Sequence, residues 1–216
     1  MPGTENLNFY LTAFISLVAI VNPFGNAPLF AVWTEGRSAT EQRKTALRAS
    51  LTSFIILIAF IFFGEYILKF FQITIPAFKI AGGMLIFIIG LSMINVLRPR
   101  ESSTPQEEKE AGEKDDISVV PMGVPILSGP GAITTSMVLA FQVGSFEGRL
   151  VLAAVALATS VLTYIVLRES ALLVKWLGHT GINILTRFMG LILTVKAAGF
   201  LIDGLLKAFP FLGAGH

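Results

Sequence analysis

The stretch VNPFGNAPLF (21–30) sets two asparagines, two prolines and a glycine between apolar flanks. A second stretch, ILSGPGAITT (126–135), does the same with Ser128, Gly129, Pro130, Gly131 and two threonines. Neither contains an ionisable side chain, so neither supplies an acid, a base or an activated nucleophile. What they supply is main chain. Proline interrupts a helical ladder, and Asn26 ahead of Pro28, or Ser128 ahead of Pro130, is a good start for a new helix. The first N–H groups of a restarted helix lack internal acceptors and carry the positive end of the helix dipole. A carboxylate fits there without help from lysine or arginine. Asn22, Asn26, Ser128, Thr134 and Thr135 are the amides and hydroxyls at hand for the rest of a small polar ligand. Gly25, Gly129 and Gly131 let that ligand approach the backbone closely.

The elements that carry these stretches are apolar and long. The 216 residues are 54% hydrophobic and 14% charged, with a mean hydropathy of +0.75. Soluble domains run closer to a quarter charged, so the composition specifies an integral membrane protein. Six segments have the roughly 20 apolar residues that a spanning helix needs. They cover approximately 8–33, 46–70, 76–97, 118–144, 148–172 and 183–207. In lipid an unpaired backbone group costs several kcal/mol, so a broken helix survives only within protein or beside water. The first break lies about 14 residues into the first span, or roughly 20 Å at 1.5 Å per residue. The second lies about 12 residues into the fourth span, which places both near the bilayer midplane.

Arg37, Arg43, Lys44 and Arg48 follow the first span, Arg98, Arg100, Lys109 and Lys114 follow the third, and Lys175 follows the fifth. The other side carries only Lys69, Lys79, Arg149 and Lys207. The positive-inside rule then puts those three loops in the cytoplasm and both termini outside. MPGTENLNF has no basic n-region or cleavage site, so the first helix reads as retained. The polar run 98–116, RPRESSTPQEEKEAGEKDD, reads as a cytoplasmic linker between 1–97 and 117–216.

The two halves share landmarks. Pro23 and Pro130 stand 107 positions apart, and Lys79 of KIAGG and Arg187 of RFMGL stand 108 apart. Three spans per unit force the second copy to enter from the opposite side, so the expected fold is all-α, with six transmembrane helices in two inverted three-helix repeats. Helices 1 and 4 are the discontinuous pair.

NPFGNAPLFAVWTEG together with PMGVPILSGPGAITTSMVL resembles the MarC family of membrane proteins, over nearly the whole chain apart from the linker. That resemblance implies a secondary transporter of small neutral amino acids such as glycine or alanine. It also implies alternating access in the cytoplasmic membrane and coupling to protons, with sodium as the other candidate ion. Carried over by motif, the substrate residues are Asn22, Pro23, Phe24, Gly25, Asn26 and Pro28, with Ser128, Gly129, Pro130, Gly131, Ala132 and Thr134. Lys196, midway along the sixth helix where the family has a small or apolar residue, is a candidate for coupling or gating, paired with Asp203 or Glu65 or facing water.

Lys79 and Arg187 read as interfacial anchors, Glu65 and Glu169 as groups solvated at helix ends, and His179 as an exposed turn residue. Gly82, Gly83 and Gly90 read as close-packing positions. With no cysteine and two scattered histidines, no metal site or cofactor is expected. The net charge of +2 gives no reason to expect nucleic acid. Partners are therefore the amino acid, the coupling ion, lipid and, compatibly, further copies of the chain. An exporter of another small solute or a metal ion is the alternative. An intramembrane enzyme is disfavoured because HExxH, GxSxG and a pair of intramembrane carboxylates are all missing.

Overall fold

A computed structural model describes residues 2–94 and 117–209. The linker expected at 98–116 lies outside the described residues. Among these residues eight helical elements follow one another: α1 (Pro2–Val21), α2 (Pro23–Trp33), α3 (Ala39–Phe70), α4 (Ile75–Met93), α5 (Ser118–Leu127), α6 (Pro130–Val143), α7 (Phe146–Arg168) and α8 (Ser170–Ala208). Leu7–Trp33, α3, α4, α7 and α8 are each long and apolar enough to cross a bilayer. The bent pair α5 and α6, at 58° to one another, makes a sixth crossing if counted as one span. The chain is a multi-pass integral membrane protein.

Local chemistry sets the helix starts. Ser38 and Glu41 form a reciprocal capping box at α3, Thr74 caps α4 ahead of Pro76, and Ser145 accepts from the Gly148 N–H at α7. The last helix begins earlier than the expected 183. It starts at Ser170, and Gly178 (φ 59°, ψ 175°) turns the chain within it, a conformation that suits a residue without Cβ.

Glycine also decides how the helices pack. α4 and α8 lie antiparallel along a seam in which Gly83 faces Ala197 and Leu201, Gly90 faces Gly190 and Thr194, and Gly204 faces Pro76 and Ile80. A Cβ on Gly90 would lie 2.9 Å from the Thr194 nitrogen and 3.0 Å from the Gly190 carbonyl oxygen, so the two backbones touch with no room for a side chain. This is the small-residue packing that membrane helices use where burial of apolar surface gives no driving force. α3 packs against α5, α6 and α7, α2 against α7 and α8, and α6 also against α1 and α4. Large apolar side chains such as Phe63, Tyr66, Met84, Leu157 and Phe188 point outward, the arrangement expected of a lipid-facing belt.

Two cross-helix ion pairs sit at one end of the bundle. The Lys79 ammonium is buried and 2.5 Å from an Asp203 oxygen, and Lys207 reaches the same carboxylate at 3.1 Å. Glu65 accepts from Arg149 at 2.7 Å and lies 2.9 Å from Lys69. These correct the reading of Lys79 as an interfacial anchor and of Glu65 as merely solvated. Lys79 packs into the glycine seam, where water does not reach it. Asp203 and Glu65 are thereby occupied, and Lys196 pairs with neither. It is half-buried on α8 with no ion-pair or hydrogen-bond partner among the described residues.

Candidate functional site

The first break is made by two asparagine side chains. Through Asn22 the ladder of α1 is intact, its N–H donating to the Val18 carbonyl at 2.9 Å. Asn22 itself is left-handed (φ 48°, ψ 55°), a conformation that asparagine tolerates better than other residues with a Cβ. In an unbroken helix the Gly25 N–H would donate to the Val21 carbonyl. Here it donates instead to Asn22 Oδ1 at 3.2 Å, and Asn26 Nδ2 takes over the Val21 carbonyl at 3.0 Å. Two side-chain amides thus replace one backbone bond. Gly25 is required beneath them, because a Cβ there would fall within 2.8 Å of Asn22 Cγ.

Asn22, not Asn26, is therefore the cap of the restarted helix. Pro23 occupies the first helical position, and Pro28 lies inside α2. Both asparagines keep one polar atom in reserve. Asn22 Nδ2, a donor, and Asn26 Oδ1, an acceptor, have no hydrogen-bond partner among the described residues.

The second break is built differently. α5 is a wide π-type coil, with Val120 and Val124 in extended conformations and cis peptide bonds before Pro121 and Pro125. The cap of α6 is Gly129 (φ −70°, ψ 178°), with Pro130 next and no side-chain bond to the first turn. Ser128, expected as the cap, turns back instead. Its Oγ donates to the Gly123 carbonyl at 2.6 Å, beside its own N–H at 3.1 Å, which leaves its hydroxyl no reach toward the first turn of α6. Gly129 is needed because a Cβ would sit 2.5 Å from the Pro125 oxygen.

The two breaks are neighbours. A Cβ on Gly131, two residues after Gly129, would lie 2.8 Å from Cδ1 of Ile20, two residues before Asn22, and 2.7 Å from Cδ1 of Ile89 on α4. Asn22, Phe24, Gly25, Asn26 and Pro28 are half-buried, while Pro23, Ser128, Gly131 and Ala132 are buried. Thr134 belongs to a different contact, packed onto Gly82 of α4. Thr135 Oγ1 and, on α3, Ser50 Oγ are buried without a partner. No ionisable side chain lies on α2, α5 or α6, and no group of three or more metal-ligating side chains occurs among the described residues. A cleft of about 520 Å³ opens elsewhere, at the ends of α1, α6 and α7 between Tyr10, Gln142, Ser145 and Glu147, and contains neither break.

Ser128→Ala removes one of the two bonds to Gly123 and is expected to cost about 1 kcal/mol. Thermal unfolding should move down by a few degrees, with the protein still folded.

Sequence reasoning missed the ion pairs and one repeated landmark. Thr52-Ser53 on α3 and Thr159-Ser160 on α7 stand 107 positions apart, the same offset as Pro23 and Pro130. Ser53, Thr159 and Ser160 are buried.

The comparisons agree with an integral membrane protein. The profile of the MarC family integral membrane protein matches residues 7–209. UPF0056 membrane protein YvbG of Bacillus subtilis (strain 168) is 41% identical over 209 residues, covering 95% of this chain and 98% of its own. UPF0056 membrane protein MJ1677 of Methanocaldococcus jannaschii is 37% identical over 204 residues, with 94% and 98% covered. UPF0056 membrane protein YhcE of Escherichia coli (strain K12) is 36% identical over 203 residues, with 94% of each chain covered. No solved structure matches the chain. The chain belongs to the MarC family of integral membrane proteins.

Proposed function

We propose that the protein is a secondary transporter that moves small neutral amino acids, glycine and alanine first among them, across the cytoplasmic membrane by alternating access. The observation that carries this reading is the pairing of an unpartnered donor, Asn22 Nδ2, with an unpartnered acceptor, Asn26 Oδ1, at a junction of two helix breaks without ionised side chains. A zwitterion needs both, a donor for its carboxylate and an acceptor for its ammonium, and brings no net charge to be neutralised. Ile20 and Ile89 crowd Gly131 at that junction, which suits a side chain no larger than a methyl group. The substrate residues on this reading are Asn22, Pro23, Phe24, Gly25, Asn26 and Pro28 of the first motif and Ser128, Gly129, Pro130, Gly131 and Ala132 of the second, with Thr134 acting through its contact with Gly82.

The halves 1–97 and 117–216 act on this reading as inverted repeats, rocking about breaks near the bilayer midplane. Several of the larger helix contacts support it because they fall into matched pairs, while α1 with α8 and α6 with α7 have no such counterpart. α3 with α5 corresponds to α7 with α1, α3 with α6 to α7 with α2, and α2 with α8 to α6 with α4. α3 with α7 and α4 with α8 correspond to themselves. The charge bias places the termini outside.

The test is uptake into proteoliposomes. Labelled glycine or alanine should be concentrated inside under an imposed proton or sodium gradient. Failure to accumulate or exchange any small neutral amino acid would sink the proposal.

A further inference from the structure

A hydroxyl on a membrane helix ordinarily meets its own need by donating to the carbonyl four residues back, since lipid offers it no acceptor. Thr12, Ser16, Thr159, Thr163 and Thr194 all do so here. Thr135 does not. The Gly131 carbonyl stands four residues back along α6, yet Thr135 Oγ1 does not take it and has no partner among the described residues. The residue is only 1% exposed, so water does not serve it either. A buried hydroxyl left unpaired costs free energy that a bond within the same turn would have recovered. Its neighbour Ser136 avoids that cost by donating to the Ile133 carbonyl at 2.8 Å.

Thr135 shares a helix face with Gly131, one turn away, and Gly131 meets Ile20 of α1 and Ile89 of α4 beside the two breaks. α1 and α6 run antiparallel from that contact to the cleft, which Phe9 and Gln142 line together. This register sets Thr135 level with Ser16, whose hydroxyl is already given to the Thr12 carbonyl at 2.7 Å. Thr135 thus lies between the cleft and the breaks, about 9 Å from the level of Asn22 at 1.5 Å per residue. Two hydrogen bonds of about 3 Å each, with a glycine zwitterion between them, span a gap of that size. A hydroxyl both donates and accepts, so it can serve either end of the zwitterion.

We propose that Thr135 is a substrate-binding residue, its hydroxyl facing the Asn22 and Asn26 amides across a small neutral amino acid admitted when α1 and α6 part. The proposal rests on the transport reading above. In the closed, empty seam the hydroxyl is dry and unpaired, and a bound zwitterion supplies the missing partner. The ligand gains a hydrogen bond that the empty protein does not make for itself, which is differential affinity for the occupied state. Thr134 alongside has no such freedom, because its side chain packs onto Gly82 of α4. The other dry hydroxyls lie elsewhere. Ser50 is two residues from Thr52, which meets Gly123 of α5, and Thr186 is one turn from Gly190, which meets Met93 at the end of α4.

Binding of labelled glycine to the purified protein, read beside thermal unfolding without ligand, decides the matter. Thr135→Val nearly keeps the volume and removes the hydroxyl. Its dissociation constant should rise about tenfold or more, the loss of a hydrogen bond to a charged group. Its unfolding temperature should stay level or rise, because a dry unpaired group has been removed. Thr135→Ser and Thr186→Val should each bind within about threefold of the wild type. Wild-type affinity in Thr135→Val would overturn the inference and leave the transport reading standing. A lowered unfolding temperature in Thr135→Val would also overturn it, by showing that the hydroxyl holds the fold. So would a weakening in Thr135→Ser as large as in Thr135→Val, which would assign the effect to the methyl group. Equal weakening in Thr186→Val would overturn it as well, since the loss would then not belong to the place of Thr135 beside the breaks. Absence of glycine and alanine binding by the wild type would remove both the inference and the transport reading.

Discussion

Asn22→Ala is expected to reduce glycine counterflow at least tenfold and to lower stability by about 2 kcal/mol. The stability loss has two parts. Alanine in the left-handed conformation costs about 1 kcal/mol, and the cap to the Gly25 N–H is worth about 1 kcal/mol. The Val21 carbonyl would still have Asn26, so the break should loosen without collapsing. Asn22→Asp separates the ligand role from this structural one. Aspartate keeps an oxygen for the Gly25 N–H but has no Nδ2 donor, and it sets a negative charge against the substrate carboxylate. We expect a thermal unfolding temperature close to that of the wild type and transport as low as in Asn22→Ala. Transport by Asn22→Asp at wild-type rate would show that the Asn22 amide serves the helix restart alone.

Gly90→Val should have the largest effect on the fold. Its methyl groups would be driven into the Thr194 nitrogen and the Gly190 carbonyl, which are backbone atoms and cannot rotate aside. Overpacking of this kind costs typically about 1–3 kcal/mol. Two antiparallel helices would have to move apart along the seam that also holds Lys79 and Asp203. Lower yield of monodisperse protein and a clear fall in unfolding temperature are the expected readouts. Gly199→Ala is the matched control, because a Cβ there has nothing within 4 Å, and its effect should stay within about 0.5 kcal/mol.

Much of the arrangement is legible in the residue order because it is local. Long apolar runs specify spans, and Pro with Gly and Asn inside such a run specifies a break, since lipid offers the freed carbonyls nothing else. The choice of cap is harder to read. Asn22-Pro23 and Asn26-Ala27-Pro28 are both credible helix starts. The structure uses the first because only Asn22 stands three residues ahead of a glycine N–H, with no Cβ to block its amide. Ser128 misled for a related reason. A serine beside Gly129-Pro130 looks like a cap, yet the wide coil of α5 brings the Gly123 carbonyl within 2.6 Å and claims the hydroxyl.

The ion pairs were out of reach for a different reason. Lys79 and Asp203 are 124 positions apart, and both sit near helix ends, where a charged group ordinarily meets solvent. Their encounter depends on the glycine seam that brings α4 and α8 together, a packing fact that no single helix carries in its own sequence. Lys196 drew attention by lying mid-helix, but its depth along the helix says nothing about which face it occupies.

Equilibrium binding of labelled glycine to the purified protein tests most directly whether the paired breaks form one site for a small zwitterion. The predicted result is saturable binding that alanine displaces and leucine does not, abolished in Asn22→Asp at an unchanged unfolding temperature. Saturable binding that survives intact in Asn22→Asp, or no saturable binding of glycine or alanine at all, would contradict it.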